Sequence, residues 1–252
     1  MERKSLLLLG YGNMGSAFVE QIRDEFDMTV LSPNTKPEFD CVYVQDYSQL
    51  EGVFDVIVFG VSPRIIHQVL DQLGDKHHNE KTTFISLLAG KRVQLFKERL
   101  GPDTNISIVM CNLPVRDGKG ILAVYPKTEL PYLEKCGQVI YVEEEDDIDR
   151  LTVIVGAGSG FAYNLLEMYV AAALKMGLKT KVDMDKVVHS MFKGSLESYE
   201  KSTKTFKQMK DDVAHPGGVT ETGLKDFKRA QPIFEDAFIN AYNKTVEMGK
   251  NK

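Results

Sequence analysis

Short apolar runs alternate with amphipathic segments over the first 110 residues of the chain. Each run is long enough for a strand buried on both faces, and the segments after several of them repeat apolar residues at the helical period. The runs are residues 5–9, 28–31, 41–44, 54–59, 83–87 and 106–110, and the helical stretches are 17–26, 65–73 and 93–100. This alternation predicts an α/β fold built on a doubly wound parallel sheet.

The pattern changes after residue 142. Two further runs, 120–125 and 138–142, are predicted strands, and the acidic run 143–147 that follows fits a solvated linker and helix start. Beyond it we predict helices only, at 161–176, 187–191 and 206–213, and a last one that begins at Pro232 because proline suits a first turn. We therefore predict a sheet domain over residues 1–146 and an all-helical domain over residues 147–252.

Residues 151–174 carry one charged side chain, Glu167, and reach the length of a membrane span. However, Gly156, Gly158 and Gly160 interrupt the segment, and no basic flank orients it. We therefore predict no contact with a membrane, but a helix covered inside its domain or inside a homodimer or higher homo-oligomer.

Composition excludes further classes of function. The net charge of −5 provides no basic face for nucleic acid. Cys41, Cys111 and Cys136 are far apart and form no CxxC pair, which predicts neither a disulfide framework nor a zinc site and favours a cytoplasmic setting. The histidines on predicted helix and loop surfaces show no metal-ligand spacing, so we predict no metal.

A glycine-rich turn joins the first predicted strand to the first predicted helix, with the sequence Gly10-Tyr11-Gly12-Asn13-Met14-Gly15. Gly10 permits the tight turn, Gly12 lets a pyrophosphate approach the backbone, and Gly15 lets the helix pack closely on the strand. A purely structural turn is the alternative. The context of strand, turn and helix favours a Rossmann-type dinucleotide-binding domain, with Asn13 and Met14 also beside the cofactor.

The turn after the second strand bears on the choice of cofactor. NAD-selective sites usually place Asp or Glu there, whereas this chain has Ser32, Asn34, Thr35 and Lys36. Hydrogen-bond donors and a positive charge suit a 2′-phosphate, so we predict NADPH. An ordinary polar turn without cofactor preference is the alternative, which leaves NADH open.

Three more turns follow predicted parallel strands, and ligands bind at the carboxyl ends of such strands. We therefore expect these turns to lie beside the glycine loop. They are Val61-Ser62-Pro63, Ala89-Gly90 and the turn from Asn112 to Pro114.

A second glycine turn, His215-Pro216-Gly217-Gly218, leads into a helical pattern in the predicted helical domain. Exposed backbone N–H groups and the positive end of a helix favour a small anion such as a carboxylate. The Thr220 hydroxyl lies two residues further on and is placed to touch the same ligand. A helix N-terminus with a polar cap, without a ligand, fits the same residues.

Taken together, these motifs resemble those of the Δ1-pyrroline-5-carboxylate reductase family, the last enzyme of proline synthesis, over nearly the whole chain. The glycine loop is similar to the family's nucleotide loop, and the three turns are similar to its nicotinamide-side turns. The most specific match is to its substrate loop, in Lys210-Asp211-Asp212-Val213 with Pro216-Gly217-Gly218-Val219-Thr220.

The resemblance implies hydride transfer from NAD(P)H to the C=N bond of 1-pyrroline-5-carboxylate, giving L-proline. It implies a small substrate with a carboxylate and a cyclic imine, bound by His215, Pro216, Gly217, Gly218 and Thr220, with Thr220 as the catalytic residue. The Thr220 hydroxyl would hydrogen-bond the ring nitrogen. His215 stands where the family has serine and would donate to the carboxylate or relay the proton; a solvent-facing loop histidine is the alternative.

The chain departs from the family pattern at Ser62, Leu113, Phe161 and His215. These departures leave two other functions open: a related NADP-dependent imine reductase with another substrate, and a catalytically silent NADP(H)-binding regulatory protein. The absence of a lysine between Gly160 and Lys175 counts against a β-hydroxyacid dehydrogenase.

Overall fold

The structure, a computed structural model, describes residues 3–178 and 181–250. Its sheet has eight strands in the order β3-β2-β1-β4-β5-β6-β7-β8. The strands are β1 (Lys4–Leu9), β2 (Phe26–Leu31), β3 (Val42–Val44), β4 (Val56–Phe59), β5 (Thr83–Ser86), β6 (Asn105–Cys111), β7 (Gly120–Tyr125) and β8 (Gly137–Tyr141). The α-helices are α1 (Asn13–Ile22), α2 (Ile66–Leu73), α3 (Val93–Leu100), α4 (Glu145–Leu151), α5 (Gly158–Lys175), α6 (Met184–Glu200), α7 (Phe206–Val213) and α8 (Val219–Lys250).

Alternation along the central strands explains why helices cover both faces of the sheet. Successive side chains of a strand point to opposite faces. Leu7 and Leu9 of β1 belong to one buried cluster with residues of α2, α3 and α4, whereas Leu6 and Leu8 belong to a second cluster with residues of α1. The Rossmann-type fold predicted from the sequence, followed by a helical region, is confirmed.

The sheet is not parallel throughout. Strands β1 to β6 pair in parallel, but β7 runs antiparallel to β6, with Val109 opposite Val124. Strand β8 then pairs in parallel with β7. The connection from β6 to β7 contains only a short 3₁₀ helix, Leu113–Asp117, which is too short for the helical crossover that a parallel neighbour requires.

Two helix predictions were wrong. Phe26 opens β2 instead of closing the first helix, which ends at Ile22 and continues as a single 3₁₀ turn, Arg23–Glu25. Pro232 lies inside α8 instead of beginning it. Proline inside a helix removes one backbone hydrogen bond, and its ring crowds the carbonyl four residues earlier, but the helix continues on both sides of Pro232.

The chain forms two compact units. The first runs to Ser159 and also includes the segment from Ala241 onward, and the second is residues 160–240. The first unit thus extends past residue 146, where the sequence predicts a boundary, and it takes in the last turns of α8. The assignment of distinct roles to residues 1–146 and 147–252 stays a prediction.

Helix α4, a π-helical segment (Thr152–Ala157) and α5 follow one another without a break. This stretch, Glu145–Lys175, is the one described helix that is long and apolar enough to cross a membrane by length and composition. None of the residues of α5 is buried within the chain. Whether a second molecule covers α5, the other half of the prediction, is taken up under the proposed function.

Candidate functional site

The glycine loop follows β1 with the geometry that its sequence predicts. Gly10 has a φ of +94°, a conformation that favours glycine. Its N–H donates to the carbonyl of Leu31 over 2.9 Å, which fixes the end of β1 to the end of β2. Gly12 precedes the first turn of α1, and a Cβ placed there would have no heavy atom within 4 Å. Open space therefore faces the backbone where the pyrophosphate is predicted.

Three glycines pack against one another below this loop. A Cβ on Gly15 would lie 2.5 Å from the carbonyl oxygen of Gly10, and one on Gly60 would lie 2.8 Å from the same oxygen. The N–H of Gly60 also donates to the carbonyl of Leu9 over 2.8 Å. Gly60, which sequence analysis did not single out, thus brings the turn after β4 against the glycine loop.

A polar network holds the helix behind the loop. The Tyr11 hydroxyl donates to Glu20 Oε1 over 2.7 Å. The Arg116 guanidinium donates to Ser16 Oγ over 2.9 Å and lies 3.7 Å from Glu20. Burial, followed by the hydrogen bond to Glu20, raises the pKa of Tyr11 well above its usual value, so its hydroxyl stays protonated. The network ties α1 to the 3₁₀ helix after β6.

The turn after β2 presents its polar residues to solvent. Asn34 and Lys36 are exposed, whereas Ser32 is buried. The Ser32 N–H donates to the carbonyl of Val44 over 3.1 Å. The Ser32 carbonyl accepts a hydrogen bond from the Tyr43 hydroxyl over 2.9 Å. The backbone of the turn is thus fixed to β3, while two of the three predicted ribose-side residues face outward.

The remaining predicted turns lie at the same edge of the sheet, because each follows one of the parallel strands β4, β5 and β6. Ser62 precedes the 3₁₀ helix Pro63–Ile65, and its hydroxyl accepts a hydrogen bond from the Arg64 N–H over 3.5 Å. Gly90 has a φ of +70°. The structure thus brings all five turns predicted for the cofactor together at one edge.

Asn112 is buried and supports the turn after β6. Its side-chain oxygen accepts a hydrogen bond from the Ile121 N–H over 3.0 Å, and its amide nitrogen lies 3.5 Å from Ser159 Oγ. Cys111 Sγ lies 3.3 Å from Met14 Sδ, so this turn also contacts the glycine loop. Burial raises the pKa of Cys111 to about 12, which leaves a protonated, unreactive thiol.

The predicted substrate loop belongs to the second unit. Gly217 has a φ of +75°, and the turn leads into the first residue of α8, Val219. The Gly217 N–H donates to the Glu221 carboxylate over 2.8 Å, and the Gly218 N–H donates to the His215 carbonyl over 2.9 Å. Both glycine donors therefore have partners within the loop.

Sequence analysis missed Glu221, although an acidic residue in the first turn of a helix is a known capping signal. The N–H groups of Val219 and Thr220 lie in that same first turn, where an α-helix offers no acceptor of its own. Thr220 is exposed. These two donors and the Thr220 hydroxyl thus remain for a ligand.

In the part of the chain that the structure describes, no group of three or more His, Cys, Asp or Glu residues could hold a metal ion. The fold, the glycine loop and the turns at one sheet edge define the class: a Rossmann-type dinucleotide-binding protein with a helical C-terminal region.

Comparison with known proteins narrows this class. Residues 145–251 match the family described as pyrroline-5-carboxylate reductase dimerisation. A pyrroline-5-carboxylate reductase of Staphylococcus haemolyticus is 26% identical over 230 residues, which cover 87% of this chain and 84% of the relative. A second relative of that name, from Staphylococcus saprophyticus, is 25% identical over 217 residues, covering 82% of this chain and 79% of the relative.

Comparison with solved structures gives the same result. The crystal structure of Plasmodium falciparum pyrroline carboxylate reductase with NADP bound is 26% identical, with a TM-score of 0.86, and the match covers 99% of this chain and 100% of that one. The reductase of Coxiella burnetii has the same fold, with a TM-score of 0.80 at 23% identity over 99% of this chain and 100% of that one. The chain thus resembles pyrroline-5-carboxylate reductases in sequence over most of its length and in fold over nearly all of it.

Proposed function

We propose that the protein reduces the C=N bond of 1-pyrroline-5-carboxylate to give L-proline, with NADPH as the hydride donor. The observation that carries this proposal is the similarity to the NADP-bound reductase of Plasmodium falciparum, which extends over both chains from end to end. Gly10 of the glycine loop and Gly217 of the Pro-Gly-Gly loop, the two loops that carry much of the family resemblance, both have positive φ values, which favour glycine.

The residues at the sheet edge fit a dinucleotide. The open space at Gly12 and the N-terminus of α1 suit a pyrophosphate, with Asn13 and Met14 at the start of the helix. The exposed side chains of Asn34 and Lys36 suit a 2′-phosphate, because one can donate hydrogen bonds and the other is positively charged. This favours NADPH, and NADH is the weaker alternative.

The turns after β4, β5 and β6 would border the nicotinamide. In this assignment the residues are Val61, Ser62, Pro63, Ala89, Gly90, Asn112 and Pro114. The dinucleotide, when bound, supplies the hydride, so the protein has to bind and orient its two ligands and manage one proton. The hydrogen bonds of Asn112 hold one of these turns in place.

The substrate loop would hold the carboxylate of the imine. The first-turn N–H groups of Val219 and Thr220 would donate to it, and the positive end of α8 would add to the attraction. Gly217 and Gly218 would shape the loop, since their own N–H groups already have partners. The Thr220 hydroxyl would hydrogen-bond the ring nitrogen. His215, beside Pro216, would contact the carboxylate.

We also infer that the protein acts as a homodimer or larger homo-oligomer. The match of residues 145–251 to a family named for dimerisation supports this. The apolar side chains of α5 support it further, because Tyr163 is 68% exposed and Met168 is 59% exposed in the single chain. Cover by a second copy would explain the apolar character of α5 without a membrane, and a cytoplasmic location fits the three unpaired thiols.

Oxidation of NADPH in the presence of 1-pyrroline-5-carboxylate tests the proposal. Robust turnover with formation of proline is the expected result. Tight NADPH binding without turnover on this imine would contradict it, and a panel of other cyclic imines would then identify a redirected substrate pocket.

A further inference from the structure

The last turn of α8 packs directly on one of the predicted nicotinamide-side turns. A Cβ on Gly249 would lie 2.9 Å from the carbonyl oxygen of Gly90, a distance that real Cβ atoms essentially never show. In the other direction, a Cβ on Gly90 would lie 3.1 Å from the Gly249 nitrogen and 3.3 Å from the Thr245 carbonyl oxygen. Backbone therefore meets backbone here, with no side chain between the two segments.

Neighbouring contacts hold the same turns of α8 within the first unit. Thr245 is 8% exposed, and its carbonyl oxygen would lie 3.3 Å from a Cβ on Gly90. The Arg150 guanidinium lies 6.0 Å from the centre of the Tyr242 ring, within the range of a cation–π contact. The approach of Gly249 to Gly90 is thus part of a continuous contact between the end of α8 and the sheet unit.

We propose that Gly249 is a positioning residue for the cofactor: it fixes the Ala89-Gly90 turn at the distance that the nicotinamide requires. The inference rests on the proposed function, in which this turn borders the nicotinamide. Gly90 has a positive φ and its carbonyl lies against Gly249, so any side chain at position 249 has to displace the turn. No residue of α8 near its end is otherwise assigned to the cofactor.

The variant Gly249→Ala tests the proposal, with Gly194→Ala as a matched control. Both changes add one methyl group to a helix, but a Cβ on Gly194 in α6 would have no heavy atom within 4 Å. We expect Gly249→Ala to raise the Kd for NADPH by about three- to tenfold. A change of this size is expected when one hydrogen bond to the cofactor is misaligned. At saturating NADPH, kcat and the KM for the imine should change less than about twofold.

A merely structural role would lower thermal stability and leave the Kd for NADPH unchanged, and that result would overturn the proposal. The control variant should match the wild-type protein in its Kd for NADPH and should be slightly more stable to heat, because alanine is the better helix former. An equal loss of NADPH affinity in Gly194→Ala would also overturn the proposal, because the effect would then not depend on contact with Gly90.

Hydrogen–deuterium exchange of the wild-type protein provides a second test that does not depend on the variant's folding. We expect NADPH to slow exchange in residues 10–16, in residues 85–92 and also in residues 241–249. Protection of the first two segments without the third would overturn the proposal while leaving the cofactor site intact. Absence of protection in residues 10–16 would instead contradict the proposed cofactor site, and the inference with it.

Discussion

Loss of the Arg92 side chain should destabilise the protein, because this residue is the cationic partner of a buried carboxylate. Arg92 hydrogen-bonds Asp149, whose side chain is 5% exposed, and also donates to Asp146 over 2.9 Å. The adjacent Val93 N–H donates to Glu145 over 2.6 Å. These bonds join the start of α3, just after the Ala89-Gly90 turn, to α4.

The exposure of the Arg92 side chain determines how much stability Arg92→Ala should cost. Removing one partner of a fully buried ion pair costs about 3–5 kcal/mol. Arg92 is 34% exposed, so solvent screens part of this interaction. We therefore expect Arg92→Ala to lower the free energy of unfolding by about 2–3 kcal/mol. Urea unfolding followed by circular dichroism, at one protein concentration, measures this difference.

Arg99→Ala is the matched control. Arg99 lies in α3, which begins directly after Arg92, and is 36% exposed, but its partner Asp71 is 63% exposed. An exposed pair contributes at most about 1 kcal/mol. Equal losses in the two variants would refute the reasoning, because burial of the carboxylate would then not determine the cost.

The effect of Arg92→Ala should also depend on pH. Burial raises the pKa of Asp149 above its usual value of 3.8, and Arg92 opposes that rise. Without Arg92 the folded-state pKa rises further, so the folded variant binds a proton more readily than the unfolded chain does. Its stability therefore falls as pH rises from the unfolded pKa through the folded one. The difference from the wild-type protein should be smaller at about pH 5 than at about pH 8.

Other residues give further tests. Thr220→Ala should lower kcat/KM by about five- to 150-fold without weakening NADPH binding, because one hydrogen bond of about 1–3 kcal/mol is lost. Thr220→Ser should retain activity. Unchanged turnover in the alanine variant would exclude a catalytic role for Thr220. Gly15→Ala should weaken NADPH binding by more than about tenfold, since the added Cβ would lie 2.5 Å from the Gly10 carbonyl oxygen and displace the glycine loop. Wild-type affinity of this variant in a titration of NADPH fluorescence would contradict the prediction. Burial raises the pKa values of Cys111 and Cys136 to about 12, so both thiols should react with a disulfide reagent far more slowly in the folded protein than in the denatured chain. Rapid labelling of the folded protein would contradict their burial.

The sequence predicts the sheet well because its strands are buried on both faces. Leu6 to Leu9 have no exposed surface, and such continuous apolar runs are unlike the periodic pattern of the helices between them. The antiparallel direction of β7 was missed, although residues 111–119 between the two predicted strands are too few for a helical crossover. Phe26 was misassigned because it continues the helical period of α1 and because Asp27 separates it from the apolar run at residues 28–31.

Much of the candidate site follows from position along the chain. A turn after a parallel strand lies at the carboxyl edge of the sheet, so the sequence predicts which turns meet. Contacts between distant segments could not be predicted in this way. Nothing in the local pattern indicates that Gly249 meets Gly90, or that Gly60 packs on Gly10, because both contacts depend on the completed fold.

The hydrogen bond that the Glu221 carboxylate accepts could not be predicted from the sequence either. Its position in the first turn of α8 is compatible with an exposed surface residue, and only the structure shows that it accepts the hydrogen bond from Gly217. The substrate loop therefore has fewer free donors than its two glycines suggest.

The most direct test of the proposed function is the rate of NADPH oxidation with 1-pyrroline-5-carboxylate, measured beside NADH and a panel of other cyclic imines. We predict turnover that is fastest on the five-membered imine and faster with NADPH than with NADH, with L-proline as the product. NADPH binding without turnover on this imine would contradict the account.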